Sequence, residues 1–184
     1  MTTKYAWPYL AETKDRGEKL LGILKKSIDI KSVESVIDMN CGYAPLYEAL
    51  AKEKGDVLRY YGSDINPDLI KELKEKYPKA QWFDMPDNQF CHVSMKKFDL
   101  FLLMGITGGT KEYESKTEAE SAITIIKRIY PRYVVLERSD RAPHTRVDEI
   151  FQAIKDHYIQ VRYAPYEFGG HINGKRRVYV YAYR

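Results

Sequence analysis

Val36-Ile37-Asp38-Met39-Asn40-Cys41-Gly42-Tyr43-Ala44-Pro45-Leu46 is the stretch whose reading decides this chain. An apolar run ends in an acid, a tight turn of small or turn-tolerant residues follows, and Pro45 suits the first position of a helix running to Lys54. Glycine lacks a Cβ and asparagine tolerates positive φ, so the segment Asn40–Ala44 lets a ligand approach the backbone. A second strand is expected over Val57–Ile65, and its Asp64 lies 22 residues beyond Gly42. That matches the offset of roughly 20 residues at which a second-strand carboxylate accepts hydrogen bonds from a ribose diol. Turn and acid together describe a site for an adenosine-bearing ligand.

Working outward, helical and strand patterns alternate. Leu20, Leu21, Ile23, Leu24 and Ile28 predict a helix over Arg16–Ile30, and Val33–Asp38 forms the first strand. Asn66-Pro67-Asp68 gives an N-cap, a first-turn proline and an acid before a helix over Leu69–Tyr77. Gln81–Asp84 reads as a short third strand, and Phe98–Met104 as a run of the kind buried on both faces of a parallel sheet. A helix over Glu118–Ile129, a fifth strand over Tyr133–Glu137 and a helix from Thr145 to Tyr158 follow. Ile159–Tyr166 and Arg177–Tyr183, joined by a Gly-rich segment, close the chain as a hairpin. The expected fold is α/β: a doubly wound, mostly parallel seven-stranded sheet with helices on both faces and a C-terminal antiparallel hairpin. In such sheets ligands bind beyond the carboxyl ends of the strands, where Asp38, Asp64, Asp84, Met104 and Glu137 stand.

Composition narrows the class. With 184 residues, 44% hydrophobic and 30% charged, the chain suits one folded domain. No window approaches a bilayer span and the first residues lack a signal-peptide run, so a cytoplasmic protein without a membrane partner is expected. Cys41 and Cys91 make no disulfide framework and read as packing residues. The four histidines lack ligand spacing, so no metal site is expected.

Over residues 33–184 the sequence resembles the class I S-adenosylmethionine-dependent methyltransferases. Val36–Leu46 resembles the family's first motif, with Asn40 and Ala44 standing for the outer glycines of a Gly-x-Gly-x-Gly run. Gly62–Ile70 is similar to the second motif and Phe83-Asp84-Met85 to the third. The resemblance implies S-adenosylmethionine as cofactor. Asp38, Asn40, Gly42 and Ala44 would meet its methionine moiety, and Asp64 and Asp84, with Ile65 and Met85 beside them, the two ends of adenosine. Met104 and Gly105 would line the floor near the methyl group. The fourth strand does not end in the Asn/Asp-Pro-Pro-Tyr box of exocyclic-amine methylation. Two alternatives stand beside this reading: a non-catalytic partner subunit that binds S-adenosylmethionine, and a nicotinamide-dependent oxidoreductase, whose usual first-turn glycines are missing here.

Methyl transfer is an in-line displacement, so positioning dominates and a base is needed only if the nucleophile must lose a proton. Candidates are Glu137, His144 and His171, each with the ordinary reading of a loop or capping residue; Tyr113 and Tyr166 are candidates for an acceptor pocket. Residues 1–32 form an N-terminal extension, and Tyr5–Leu10 is aromatic enough for a lid over the cofactor or for a stapled arm. From Arg138 to Arg184 there are nine Lys/Arg against five Asp/Glu, which matches the whole net charge of +4. Arg138, Arg141, His144, Arg146, His171, Lys175, Arg176 and Arg177 thus form a basic rim that favours an anionic acceptor, a small molecule or RNA. The sequence leaves the oligomeric state open.

Overall fold

A computed structural model of the chain describes residues 10–84, 97–106, 112–139, 145–167 and 175–184. The strands are β1 (Ser35–Met39), β2 (Arg59–Ser63), β3 (Gln81–Phe83), β4 (Leu100–Ile106), β5 (Tyr133–Ser139), β6 (Tyr158–Glu167) and β7 (Lys175–Tyr183). The helices are α1 (Leu10–Lys25), α2 (Pro45–Lys54), α3 (Pro67–Lys76), α4 (Glu112–Ile129) and α5 (Thr145–Ile154). One sheet joins the strands in the order β3-β2-β1-β4-β5-β7-β6. Strands β1 to β5 pair in parallel, and β7 runs antiparallel to both β5 and β6. This is the sheet that the sequence pattern predicts, hairpin included.

Side-chain alternation divides the core in two. Val36, Leu102, Val135 and Val178 face Leu24 of α1, Leu46 of α2 and Leu73 of α3. Ile37, Leu103, Val134 and Leu136 face Ala122 and Ile126 of α4 and Ile150 of α5. Leu100 to Leu103 of β4 have no exposed surface, because a central parallel strand is covered on both sides. The cap of α3 is the one its sequence signals: the Asn66 side chain accepts from Asp68 N at 3.1 Å and Leu69 N at 3.3 Å.

Several boundaries differ from expectation. Helix α1 starts and stops before the expected Arg16–Ile30; it tightens where Lys26 N donates to Ile23 O at 3.1 Å and Ser27 Oγ to the same carbonyl at 2.6 Å. Helix α4 begins at Glu112 rather than Glu118, and α5 ends at Ile154 rather than Tyr158. Tyr158 instead opens β6, buried, with its hydroxyl donating to Pro131 O at 2.8 Å. Pro165 is tolerated in β6 because that strand lies at the sheet edge.

The extension before the core is packed into it. Leu20, Leu21 and Leu24 of α1 belong to the same cluster as β1 and α2. A Cβ on Gly17 would lie 2.0 Å from Pro45 O, so α1 crosses the start of α2 almost backbone to backbone. Of the stretch Tyr5–Leu10 expected as a lid or stapled arm, all but Leu10, which opens α1, lies outside the described residues. Among the described residues, no helix is long and apolar enough to cross a membrane. From β1 the chain builds outward through β2 and β3, then returns to lay β4 on the other side of β1. The connection order therefore reverses between β1 and β4, the point at whose carboxyl ends sheets of this kind bind their ligands.

Candidate cofactor-binding site

The turn after β1 takes three residues into the left-handed region: Asn40 at φ 58°, Gly42 at φ 53° and Ala44 at φ 49°. These are the three positions where the resembled motif carries glycine. Two of them hold side chains that pay a steric penalty there, asparagine less than alanine. The turn is locked by Cys41 N donating to Ser63 O and Ala44 N to Cys41 O, both at 2.8 Å. A Cβ on Gly42 would meet nothing within 4 Å, so the backbone at the centre of the turn borders open space.

Asp64, just past β2, ties this turn to the next. Its Oδ2 accepts from Gly42 N at 3.0 Å and its Oδ1 from Asn66 N at 3.0 Å. Each carboxylate oxygen keeps acceptor capacity for a further donor. Beside it Ile65 is 81% exposed, an apolar side chain standing in solvent next to the acid. Asp84 follows β3 and is exposed, while Phe83 O accepts from Asp64 N at 3.2 Å. Gly62 is required by close approach: a Cβ there would lie 2.4 Å from the Trp82 ring.

Asp38 sits on β1 with no exposed surface. The Tyr60 hydroxyl donates to its Oδ2, and its Oδ1 has no hydrogen-bond partner among the described residues. Burial pushes the Asp38 carboxyl up to about 7; Asp64 and Glu137 add to the rise, and Tyr60 and Arg16 oppose it. Burial also raises the Cys41 thiol, with Asp38 and Asp64 reinforcing it, so this cysteine is a packing residue rather than a reactive thiolate. Asn40 donates through its side-chain amide to Glu118 of α4. Met104 lies buried in β4, in the cluster on the Asp38 face, and Gly105 follows it in the same strand.

Of the catalytic candidates, Glu137 is fully buried in β5. Arg16 of α1 holds it with both ends of its guanidinium, Nε at 3.2 Å, the Tyr166 hydroxyl donates to it, and Arg176 Nε lies 3.8 Å away. Burial alone would raise its pKa, but Arg16, Tyr166 and Arg176 bring it below the ordinary carboxylate value. That placement suits anchoring α1 to the β5–β7–β6 end of the sheet better than accepting a proton. Tyr166, read as a pocket residue, is spent on the same anchor. His144, His171 and Met85 lie outside the described residues, as does the side chain of Tyr113. Sequence reasoning missed Arg16, whose partner is 121 residues away, and Tyr60. Tyr60 was recoverable from register alone: Asp38 pairs with Gly62, and Tyr60 is the diagonal neighbour on that face.

Sheet order, switch point and first turn define the class: the chain has the fold of the class I S-adenosylmethionine-dependent methyltransferases. Among solved structures with this fold is the magnesium protoporphyrin IX methyltransferase of Synechocystis PCC 6803 with bound S-adenosylmethionine. It is 15% identical, covers 95% of this chain and 81% of its own, and superposes with a TM-score of 0.67. A TehB-like S-adenosylmethionine-dependent methyltransferase from Corynebacterium glutamicum is 16% identical, with 95% and 99% covered and a TM-score of 0.60. An rRNA methylase from Streptococcus thermophilus is 10% identical, with 90% and 94% covered and a TM-score of 0.59. At these identities the shared property is the fold. No family model and no curated protein matches the chain.

Proposed function

We propose that this protein is an S-adenosylmethionine-dependent methyltransferase. The observation that carries the reading is the turn itself: Asn40, Gly42 and Ala44 all hold left-handed φ values, and Gly42 N is fixed by Asp64. Keeping that backbone path with an alanine costs about 1–2 kcal/mol at that residue, a strain that persists when the path is needed. The fit to the cofactor rests on the residues around it. Asp64 has acceptor capacity left for a ribose diol, and exposed Ile65 offers an apolar surface to one face of an adenine. Asp84 stands at the far end for the adenine amino group. The buried, unpartnered Asp38 Oδ1 answers to a cationic group such as the methionine ammonium, next to the Asn40–Ala44 turn.

Bound there, S-adenosylmethionine supplies an electrophilic methyl on a sulfonium. The chain's own part is to hold the acceptor in line and exclude water. Met104 and Gly105, at the end of β4 beside the switch point, floor the space where the acceptor would sit. Glu137 acts at one remove, anchoring α1 to the sheet through Arg16. The acceptor is proposed to be anionic, from the basic excess after Arg138. Incubation with tritiated S-adenosylmethionine and RNA, protein and metabolite fractions tests the reading. Transfer to one fraction with accumulation of S-adenosylhomocysteine supports it; tight cofactor binding with no transfer to any fraction favours the partner-subunit alternative.

A further inference from the structure

The amino ends of the parallel strands, opposite the edge that bears Asp38 and Asp64, form a second surface, and a string of hydrogen bonds joins its segments. Arg132 Nη1 donates to Ser32 Oγ at 2.7 Å and Arg132 N to Phe98 O at 3.0 Å, while Tyr183 N donates to Arg132 O and Arg184 N to His157 O, both at 2.9 Å. Lys31, Lys97, Lys127, Arg132, Lys155 and Arg184 are exposed along this edge, against the exposed acids Asp29, Glu34 and Asp156. None of these six cations has a carboxylate partner among the described residues. The helix dipole accounts for Lys127, in the last turn of α4, but Lys97, Arg132 and Arg184 belong to no helix.

Three rings stand on the same edge. The centroids of Tyr130 and His157 are 5.3 Å apart, those of Tyr130 and Tyr183 5.9 Å, and those of His157 and Tyr183 6.2 Å with the planes 8° apart. Burial does not explain them: Tyr130 is 43% and Tyr183 46% exposed, and His157 is exposed as well. Tyr130 is also strained. It follows the last residue of α4 at φ 43°, with its N–H donating to Ile126 O at 2.8 Å, in the left-handed position where helices commonly end in glycine. A bulky side chain kept in that conformation, with much of its ring in water, points to a use for the ring outside the chain.

We propose that this basic, aromatic edge binds single-stranded nucleic acid. Binding there is independent of the methyltransferase reading. Cations spread along an edge follow a phosphate backbone, and exposed rings stack on unpaired bases of any sequence. An acidic peptide would use the cations and leave the rings idle, and a duplex keeps its bases stacked on one another. Strand β4, seven residues rising about 3.3 Å each, sets this edge roughly 20 Å from the carboxyl ends of the strands. The surface therefore holds a strand and takes no part in chemistry at the other edge.

The test is fluorescence anisotropy of the full chain with a labelled oligouridylate of about twelve nucleotides at 50 and 200 mM salt. The wild type should bind saturably, and with three to six phosphate contacts its affinity should fall roughly 20- to 300-fold between the two salts. Tyr130→Gly is the main variant, because glycine fits φ 43° and keeps the helix end intact. It should bind at least about fivefold more weakly, the loss of one stacked base, with the salt slope unchanged. Arg132→Gln should bind more weakly and make the slope shallower by about 0.7, the loss of one phosphate contact, whereas Lys74→Gln, which removes an exposed charge on α3, should change neither. S-adenosylhomocysteine affinity should be the same in all four proteins. No saturable binding by the wild type overturns the proposal, as does full affinity in Tyr130→Gly or a loss in Lys74→Gln as large as in Arg132→Gln. It is equally overturned if a duplex of the same length binds as tightly as the single strand, or if Tyr130→Gly weakens the binding of heparin, a polyanion without bases, by as much. Oligouridylate binding by a chain that does not bind S-adenosylhomocysteine would count against the methyltransferase reading and leave this one standing.

Discussion

Helix α1 contains two glycines, and the same substitution at each should move stability in opposite directions. In a helix interior alanine is better than glycine by about 0.5–1 kcal/mol, since it loses less backbone entropy on folding. A Cβ on Gly22 would meet nothing within 4 Å, so Gly22→Ala should realise that gain. For a chain of this size that is a rise in Tm of roughly 1–4 °C. A Cβ on Gly17 would lie 2.0 Å from Pro45 O and 2.7 Å from Pro45 C. These are backbone atoms at the start of α2 and cannot swing aside, so α1 must back away and loosen Leu20, Leu21 and Leu24. Overpacking costs about 1–3 kcal/mol, and a backbone clash belongs at or above the top of that range. With the helical gain subtracted, Gly17→Ala should lose about 2 kcal/mol, a fall in Tm of roughly 4–8 °C. Circular-dichroism melts of the three proteins, repeated in urea, give the sign directly. A Gly17→Ala protein that melts at or above wild type would refute the seating of α1 against α2.

Ala44→Gly relieves about 1–2 kcal/mol of left-handed strain but gives up one buried methyl, about 0.8 kcal/mol, and adds about 0.5–1 kcal/mol of backbone entropy to the unfolded chain, so it should change stability little. Ala44→Val, β-branched at the same φ of 49°, should lose clearly more in the same melts, and equal stability of both variants would contradict the left-handed turn. Asp38 gives a pH signature. Its folded pKa of about 7 lies above its unfolded value of about 4, so between those limits the folded chain holds a proton the unfolded chain has lost. Its contribution to stability therefore falls as pH rises from about 4 to about 7. Glu137, whose folded pKa is lowered, acts the other way and in a different window, losing stability only as pH falls through the acid range. Urea midpoints for Asp38→Asn should lack the decline from pH 4 to 7; a profile parallel to wild type would show that Asp38 is not the buried acid described.

The parts of this structure that the sequence foretells are those set by local chemistry. Asn66-Pro67-Asp68 fixes a helix start by capping, Pro45 fixes another, and the apolar run Leu100–Leu103 can only be a strand covered twice. The register of β1 and β2 brings Asp38 beside the Asp64 edge, as alternation requires. What stayed hidden depends on contacts far apart in the chain. Arg16 lies at the polar start of α1, and nothing near it announces Glu137. Gly17 looks like a helix weakener and is in fact a crossing point. The replaced glycines of the first turn suggest a degraded motif, yet Asn40 and Ala44 follow the path glycine would take because the hydrogen bonds of Cys41, Gly42 and Ala44 hold them there. Arg138 and Arg177 are two charges in a basic stretch until the β5–β7 register sets them face to face.

The central claim is that the carboxyl edge bearing Asp38, the Asn40–Ala44 turn and Asp64 receives S-adenosylmethionine. Its most direct test is calorimetric titration of wild type and Asp64→Ala with S-adenosylhomocysteine and, in parallel, NADH. Saturable binding of S-adenosylhomocysteine at one site is expected, weakened in Asp64→Ala by about 1–3 kcal/mol through the lost charge-assisted hydrogen bonds, with no binding of NADH. Binding of NADH without S-adenosylhomocysteine, or a wild-type affinity retained in Asp64→Ala, would contradict it.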